Sequence, residues 1–237
     1  MSSRCVERWT SCGPVWYNED MNPIARRTIS ALTTAALVVL AIVYAPTGWI
    51  RPAFAVLIAL AFLEFLLLLK IKPGVGIRMI IPAVLGLAVL GLLSALPAAA
   101  ELHGNLMMLY LIAIVKISDM GGFAAGVSSA KLMKGGNHKM CPTISPNKSW
   151  EGLAGSVAAS CILSCCFIPV THFIWWKALA FGVTAALVGT FGDLVESKFK
   201  RWVGVKDSST FMPAGMGGLL DMLDSLLFAP AVLLPFI

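Results

Sequence analysis

Charge is scarce in this chain. Only 13% of its 237 residues are Asp, Glu, Lys or Arg, whereas a soluble domain carries about a quarter. That shortage excludes an ordinary soluble globular domain. Histidine is also rare: of the three, His103 and His172 are expected on the face opposite the other polar groups, and His138 stands alone in a loop, which argues against catalysis by histidine. None of the six cysteines forms a C-x-x-C pair, so neither a dithiol redox site nor a cysteine metal site is indicated. Cys161, Cys165 and Cys166 fall inside an apolar run and read as small core residues, whereas Cys5, Cys12 and Cys141 lie in polar stretches. The N-terminal stretch has no neighbouring apolar core with a cleavage site, so no signal peptide is expected. Internal repeats and low-complexity tracts are absent as well.

What fills the chain is apolar sequence, 58% of it. A hydrocarbon layer roughly 30 Å thick takes about 20 apolar residues per helix. Seven runs of that kind occur near residues 29–45, 52–69, 79–96, 105–127, 152–170, 178–195 and 219–237. They are too long and too rich in Ala, Leu and Gly for barrel strands. The expected fold is therefore all-α, a polytopic transmembrane helix bundle of about seven spans. Residues 1–28 would form an N-terminal cytoplasmic segment, 29–104 the N-terminal transmembrane helices, and 105–237 a catalytic transmembrane domain with cytoplasmic loops at 128–150 and 196–218.

Basic residues orient the bundle. With the N-terminus in the cytoplasm, every Lys and Arg except Arg51, Lys177 and the intramembrane Lys116 falls on the cytoplasmic side. The net charge of +6 therefore describes one membrane face, and no nucleic-acid partner is expected.

Acidic residues in spans are costly and point to function. Asp119, Asp193, Asp221 and Asp224 all fall toward the cytoplasmic half. Asp221 and Asp224 are spaced to share one helix face, where two like charges favour a cation between them. The bland alternative is that they only complement a helix dipole. The preceding "MPAGMGG", including Gly217 and Gly218, is able to present backbone N–H groups to an anion. Carboxylates beside a phosphate suit Mg²⁺. In "SKFKRWVGVKDSS", Ser197, Lys200 and Arg201 converge on phosphate if the sixth span stays helical, the alternative being ordinary positive-inside flanking. The loop "KGGNHKMCPTISPNKSWEG" adds Ser145, Asn147, Lys148 and Ser149 as donors for phosphate or base edges.

At these residues the chain resembles the phosphatidate cytidylyltransferases, or CDP-diacylglycerol synthases. The family motif S-x-x-K-R-x-x-x-x-K-D is matched by Ser197, Lys200, Arg201, Lys206 and Asp207. The following G-H-G-G-x-x-D-R-x-D-S is matched by Gly215, Gly217, Gly218, Asp221, Asp224 and Ser225, with Met216 and Met222 where the family has His and Arg. Upstream, Asp119 and Gly121 match D-x-G, residues 145–152 match S-P-x-K-[ST]-x-E-G, and Gly192, Asp193, Glu196 and Ser197 match G-D-L-x-E-S.

The resemblance implies transfer of the cytidylyl group of CTP to phosphatidic acid, giving CDP-diacylglycerol and diphosphate, by an integral protein of the inner (cytoplasmic) membrane with its site facing the cytoplasm. Asp193, Asp221 and Asp224 would hold Mg²⁺, with room for a second cation. Ser197, Lys200, Arg201, Lys206 and Asp207 would be catalytic, and Asp119, Ser145, Asn147, Lys148, Ser149, Gly217 and Gly218 substrate-binding. A homodimer is expected by analogy alone. Two other readings stay open: a CTP-dependent polyprenol or phytol kinase, and a non-enzymatic transporter using Lys116 and Asp119.

Overall fold

Backbone polar groups in lipid have no water to bond, so apolar runs close their own hydrogen bonds as helices. The computed structural model follows that rule and describes residues 39–71, 80–133, 136–205 and 218–236. The chain divides into two units, residues 1–41 and 42–237, and the elements named below belong to the second. Helix α1 spans Thr47–Ile71. Helix α2, Ile80–Gly91, runs through a 3₁₀ turn at Leu92–Ser94 into α3, Ala95–His103. Gly104, at φ +88°, turns the chain into α4, Asn105–Leu132. A short antiparallel hairpin follows, β1 (Lys139–Cys141) with β2 (Ser145–Ser149), pairing Lys139 with Ser149 and Cys141 with Ser145 across a register shift. Then come α5 (Trp150–Cys166), α6 (Ile168–Thr171) and α7 (Trp175–Val203). The C-terminal stretch is broken into α8 (Leu219–Leu223), a 3₁₀ turn (Asp224–Leu226), α9 (Ala229–Leu233) and a last 3₁₀ turn (Leu234–Phe236).

Among the described residues, four helical segments are long and apolar enough to cross a membrane: Thr47–Lys70, Ile81–His103, Asn105–Leu132 and Trp175–Val203. The runs expected at 52–69, 79–96, 105–127 and 178–195 lie within them or overlap them. The other three differ. Residues 29–38 lie outside the described residues, although 39–44 are helical. The run at 152–170 is a 17-residue helix that stops at Cys166, because Pro169 has no N–H to give the preceding turn. The run at 219–237 is not one helix: Pro230 and Pro235 interrupt it in the same way. The all-α expectation also gives way at the hairpin, which occupies part of the loop expected at 128–150. Residues 196–203 extend α7, the helical continuation on which the convergence of Ser197, Lys200 and Arg201 depends. The extension is supported by Lys200, one turn from Glu196 with Nζ 2.6 Å from Oε2, and it ends at Gly204 (φ +92°), whose N–H returns to the Lys200 and Arg201 carbonyls.

The helices approach closely where side chains are small. A Cβ on Gly155 of α5 would fall 2.7 Å from the Gly121 carbonyl oxygen of α4, so only glycine permits this crossing. Further along the same pair, the Tyr110 hydroxyl and Ser164 Oγ are hydrogen-bonded at 2.7 Å, both buried. Ser160 Oγ ties α5 to α7 by donating to the Gly182 carbonyl at 2.9 Å. Tyr110, Phe167 and Phe181 stack beneath them, with ring centroids 5.1 and 5.4 Å from Tyr110. Exposed tryptophans mark the two ends of the bundle, Trp49, Trp175 and Trp176 at one and Trp150 and Trp202 at the other, as expected for interfacial belts. Asp193, Glu196 and Lys200 lie toward the second end.

Gly155→Val should force α4 and α5 apart and destabilise the protein by about 1–3 kcal/mol. Thermal unfolding in detergent measures this, and an unchanged midpoint would contradict the close crossing.

Candidate active site

A cavity of about 250 Å³ opens between α4, the hairpin, α5 and α7. Asp119 of α4 and Asp193 of α7 line it, together with Ser145, Asn147, Lys148 and Ser149 of the hairpin. Ser156 and Thr190, which the motifs did not single out, complete its polar lining.

Local bonds hold the hairpin over this cavity. Ser149 caps α5, its Oγ accepting from the Gly152 N–H at 3.1 Å. Both Glu151 carboxylate oxygens accept from the His138 N–H at 3.1 Å, and His138 Nδ1 lies 2.6 Å from Glu151 Oε1. That ring contact, with the backbone donors behind it, holds the Glu151 carboxyl down at about 2. Asn137 Nδ2 donates to the Gly126 carbonyl at 2.9 Å, fixing the other edge to α4. Lys148 closes the arrangement, its Nζ 2.5 Å from Asp193 Oδ2.

The acids fall into two groups. Asp119, Asp193 and Asp224 lie within electrostatic reach of one another. Lys148 pairs with Asp193, and Lys116 Nζ is 3.9 Å from Asp119 Oδ2. Asp193 Oδ1 is buried and has no hydrogen-bond partner among the described residues. A desolvated carboxylate oxygen of that kind is costly unless something positive meets it, so this group fits a divalent cation. Gly192 makes the approach possible: a Cβ there would fall 2.6 Å from the Asp224 carbonyl oxygen.

Asp221 belongs to the second group. Lys200 Nζ sits 2.9 Å from Asp221 Oδ1 and 2.6 Å from Glu196 Oε2. Asp224, where α8 gives way to a 3₁₀ turn after Leu223, has other neighbours: Asp193, Lys116 and Asp119. Of the three aspartates expected to share a cation, Asp193 and Asp224 thus lie within reach of one another, and Asp221 is engaged by Lys200. Among the described residues, no three His, Cys, Asp or Glu side chains come close enough to enclose an ion by themselves. The N–H groups expected to meet an anion at the start of this helix are also engaged. Gly218 N–H donates to Asp221 Oδ2 at 3.0 Å, and Leu220 N–H to the buried Glu64 Oε2 at 2.8 Å. Ser197 is half-buried on α7, Arg201 is exposed in its last turn, and Lys206, Asp207 and Gly217 lie outside the described residues.

Glu64, Lys116 and Glu196 were missed as site residues. Glu64 and Lys116 each carry charge in the middle of an apolar run, which is signal enough. Glu196 was visible only as a motif letter.

A bundle of membrane-length helices with paired acids and bases gathered at one end has the architecture of a polytopic helical membrane protein. The chain belongs to the cytidylyltransferase family, which it matches over residues 17–237. It is 44% identical over 120 residues to the phosphatidate cytidylyltransferase of Mycobacterium bovis, a stretch covering 49% of this chain and 36% of that protein. The Mycobacterium tuberculosis (strain ATCC 25618 / H37Rv) protein of the same name is equally identical over 49% of this chain and 34% of its own length. The Staphylococcus aureus (strain COL) phosphatidate cytidylyltransferase is 42% identical over 123 residues, 51% of this chain and 45% of that protein. The matched stretch thus spans between about a third and just under half of these curated relatives.

The Glu151 anchor has a definite pH signature. Its carboxyl is lowered from 4.5 to about 2, so the stabilisation is complete above about pH 4.5 and is lost as pH falls through about 2. Trp150 fluorescence followed across that range should report release of the hairpin in the wild type, and Glu151→Gln should remove this step. An identical acid transition in both proteins would contradict the anchor.

Proposed function

We propose that this protein transfers the cytidylyl group of CTP to phosphatidic acid, releasing diphosphate and forming CDP-diacylglycerol, at the cytoplasmic face of the inner membrane. One observation carries the reading: a single cavity is lined by Asp119 and Asp193, the latter with an unpartnered buried oxygen, and by the hairpin donors Ser145, Asn147, Lys148 and Ser149. Cation-seeking acids opposite phosphate-seeking donors suit a nucleotide triphosphate. The names of the relatives from Mycobacterium and Staphylococcus point to the lipid acceptor. The N-terminus inside, seven spans in all and a homodimer belong to the same proposal.

In the reaction a phosphatidate oxygen attacks the α-phosphorus of CTP as the bond to the β-phosphate breaks, and the electron pair leaves on diphosphate. An ionised phosphate oxygen is already a nucleophile, so no general base is required. Asp193 and Asp224, with Asp119 beside them, are the residues that would hold Mg²⁺, which when bound screens the phosphates' negative charge. Lys148 exchanges its bond to Asp193 for a phosphate oxygen, and Ser145, Asn147 and Ser149 orient the nucleotide. Lys200, now bridging Glu196 and Asp221, stands with Ser197 and Arg201 on the last turns of α7. There Lys200 and Ser197 would clamp phosphate oxygens, and Arg201 with Lys206 would neutralise diphosphate. Asp221 then serves as the partner that positions Lys200.

Purified protein in lipid nanodiscs, given Mg²⁺, labelled CTP and phosphatidate, should form a CMP-bearing lipid with diphosphate. Asp224→Asn and Lys148→Ala should each lower kcat/KM by roughly 10²–10³-fold, the usual loss on removing an electrostatic group at a reacting phosphate. A phosphorylated lipid accompanied by CDP, formed from a lipid alcohol, would make the protein a kinase. Absence of any nucleotide-dependent lipid product would overturn the enzymatic reading.

A further inference from the structure

Lys116 is a cation in the middle of α4, the longest apolar stretch before the hairpin. Such a charge is expensive in a span unless it has partners. Its Nζ donates to the Met222 carbonyl oxygen and to Ser225 Oγ, both at 2.9 Å, and stands 3.9 Å from Asp119 Oδ2. Ser225 is fully buried and follows Asp224 directly. Lys116 therefore bridges the turn that carries Asp224 and the helix that carries Asp119. It is also an electrostatic partner of both carboxylates. The second ammonium near this group, Lys148, comes from the opposite wall and is engaged by Asp193.

We propose that Lys116 is a positioning residue that acts as the resident counter-cation of the Asp119, Asp193 and Asp224 group and sets how tightly that group takes a divalent metal ion. The inference rests on the cation reading given above. Three carboxylates brought together in a half-buried site repel one another. A tethered ammonium keeps them together when no metal is bound, and its positive charge opposes the incoming ion. Metal binding is thereby weakened to a level at which the ion arrives and leaves with the nucleotide. The two hydrogen bonds to residues 222 and 225 keep the ammonium from swinging out to water. A purely structural latch would need those two bonds and no charge, and that difference separates the alternatives.

The test uses the full chain in detergent and Mn²⁺ alone as the probe, with free Mn²⁺ read by electron paramagnetic resonance. Lys116→Met and Lys116→Gln should bind Mn²⁺ roughly tenfold more tightly than the wild type, the size expected for removing one unit charge a few ångströms from a partly exposed carboxylate. Lys116→Arg, which keeps the charge, should stay within about threefold, and Ser225→Ala, which removes one latch bond only, within about twofold. Neutral variants that bind Mn²⁺ no better than the wild type would overturn the proposal. So would Lys116→Arg or Ser225→Ala binding Mn²⁺ tenfold more tightly, since each keeps the charge; these two arms decide the question if neither neutral variant folds. Asp224→Asn is the separate control: if it leaves Mn²⁺ binding unchanged, the metal reading itself fails, whatever the Lys116 variants do.

Discussion

A carboxylate held in a membrane helix must be met by positive charge or hydrogen-bond donors, and the rest of this structure is arranged around that requirement. Asp193 lies roughly 13 Å along α7 from the interfacial Trp202, by the rise of a helix. At that depth water cannot be relied on to solvate it. Lys148 reaches it from the hairpin, and the hairpin is in turn pinned by Ser149 at the start of α5, by His138 on Glu151 and by Asn137 on α4. One ion pair thus links a polar loop to the membrane core and closes the cavity between them. Its second oxygen, Oδ1, is buried without a hydrogen-bond partner among the described residues.

The same constraint organises the C-terminal stretch. Two prolines prevent it from forming one helix, and its short pieces offer carbonyls and N–H groups that need partners. Charged side chains from the long helices provide them: Glu64 takes the Leu220 N–H, and Lys116 takes the Met222 carbonyl. The position between Asp221 and Asp224 that carries Arg in the resembling motif is Met222 here, and a cation from α4 reaches its backbone instead. Lys200 fixes Asp221 from α7. A broken membrane segment is thereby tied to three helices at the level of the acids.

Much of this was legible in the sequence, for identifiable reasons. Apolar run length placed the four long helices, because the bilayer sets one requirement for all of them. The motif around Ser145–Ser149 and the aspartates at 119 and 193 line one cavity. Three things were hidden. The hairpin is made by pairing Lys139 with Ser149, a non-local choice that no periodicity in "KGGNHKMCPTISPNKSWEG" announces. That Asp221 meets Lys200 while Asp224 lies with Asp119 and Asp193 depends on which long helix packs against each, which spacing alone cannot show. Glu64 was the avoidable omission, an acid in an apolar run whose partner proved to be a backbone N–H distant in sequence.

The central claim is that the hairpin and the aspartates of α4 and α7 form one cation-dependent site for nucleotide phosphates. The most direct test is photocrosslinking of a reactive CTP analogue to the full chain in nanodiscs, with the labelled peptides mapped with and without Mg²⁺. The account predicts labelling within residues 139–153, abolished by chelation and displaced by excess CTP. Label confined to other parts of the chain, or label within that stretch that ignores both chelator and CTP, would contradict it.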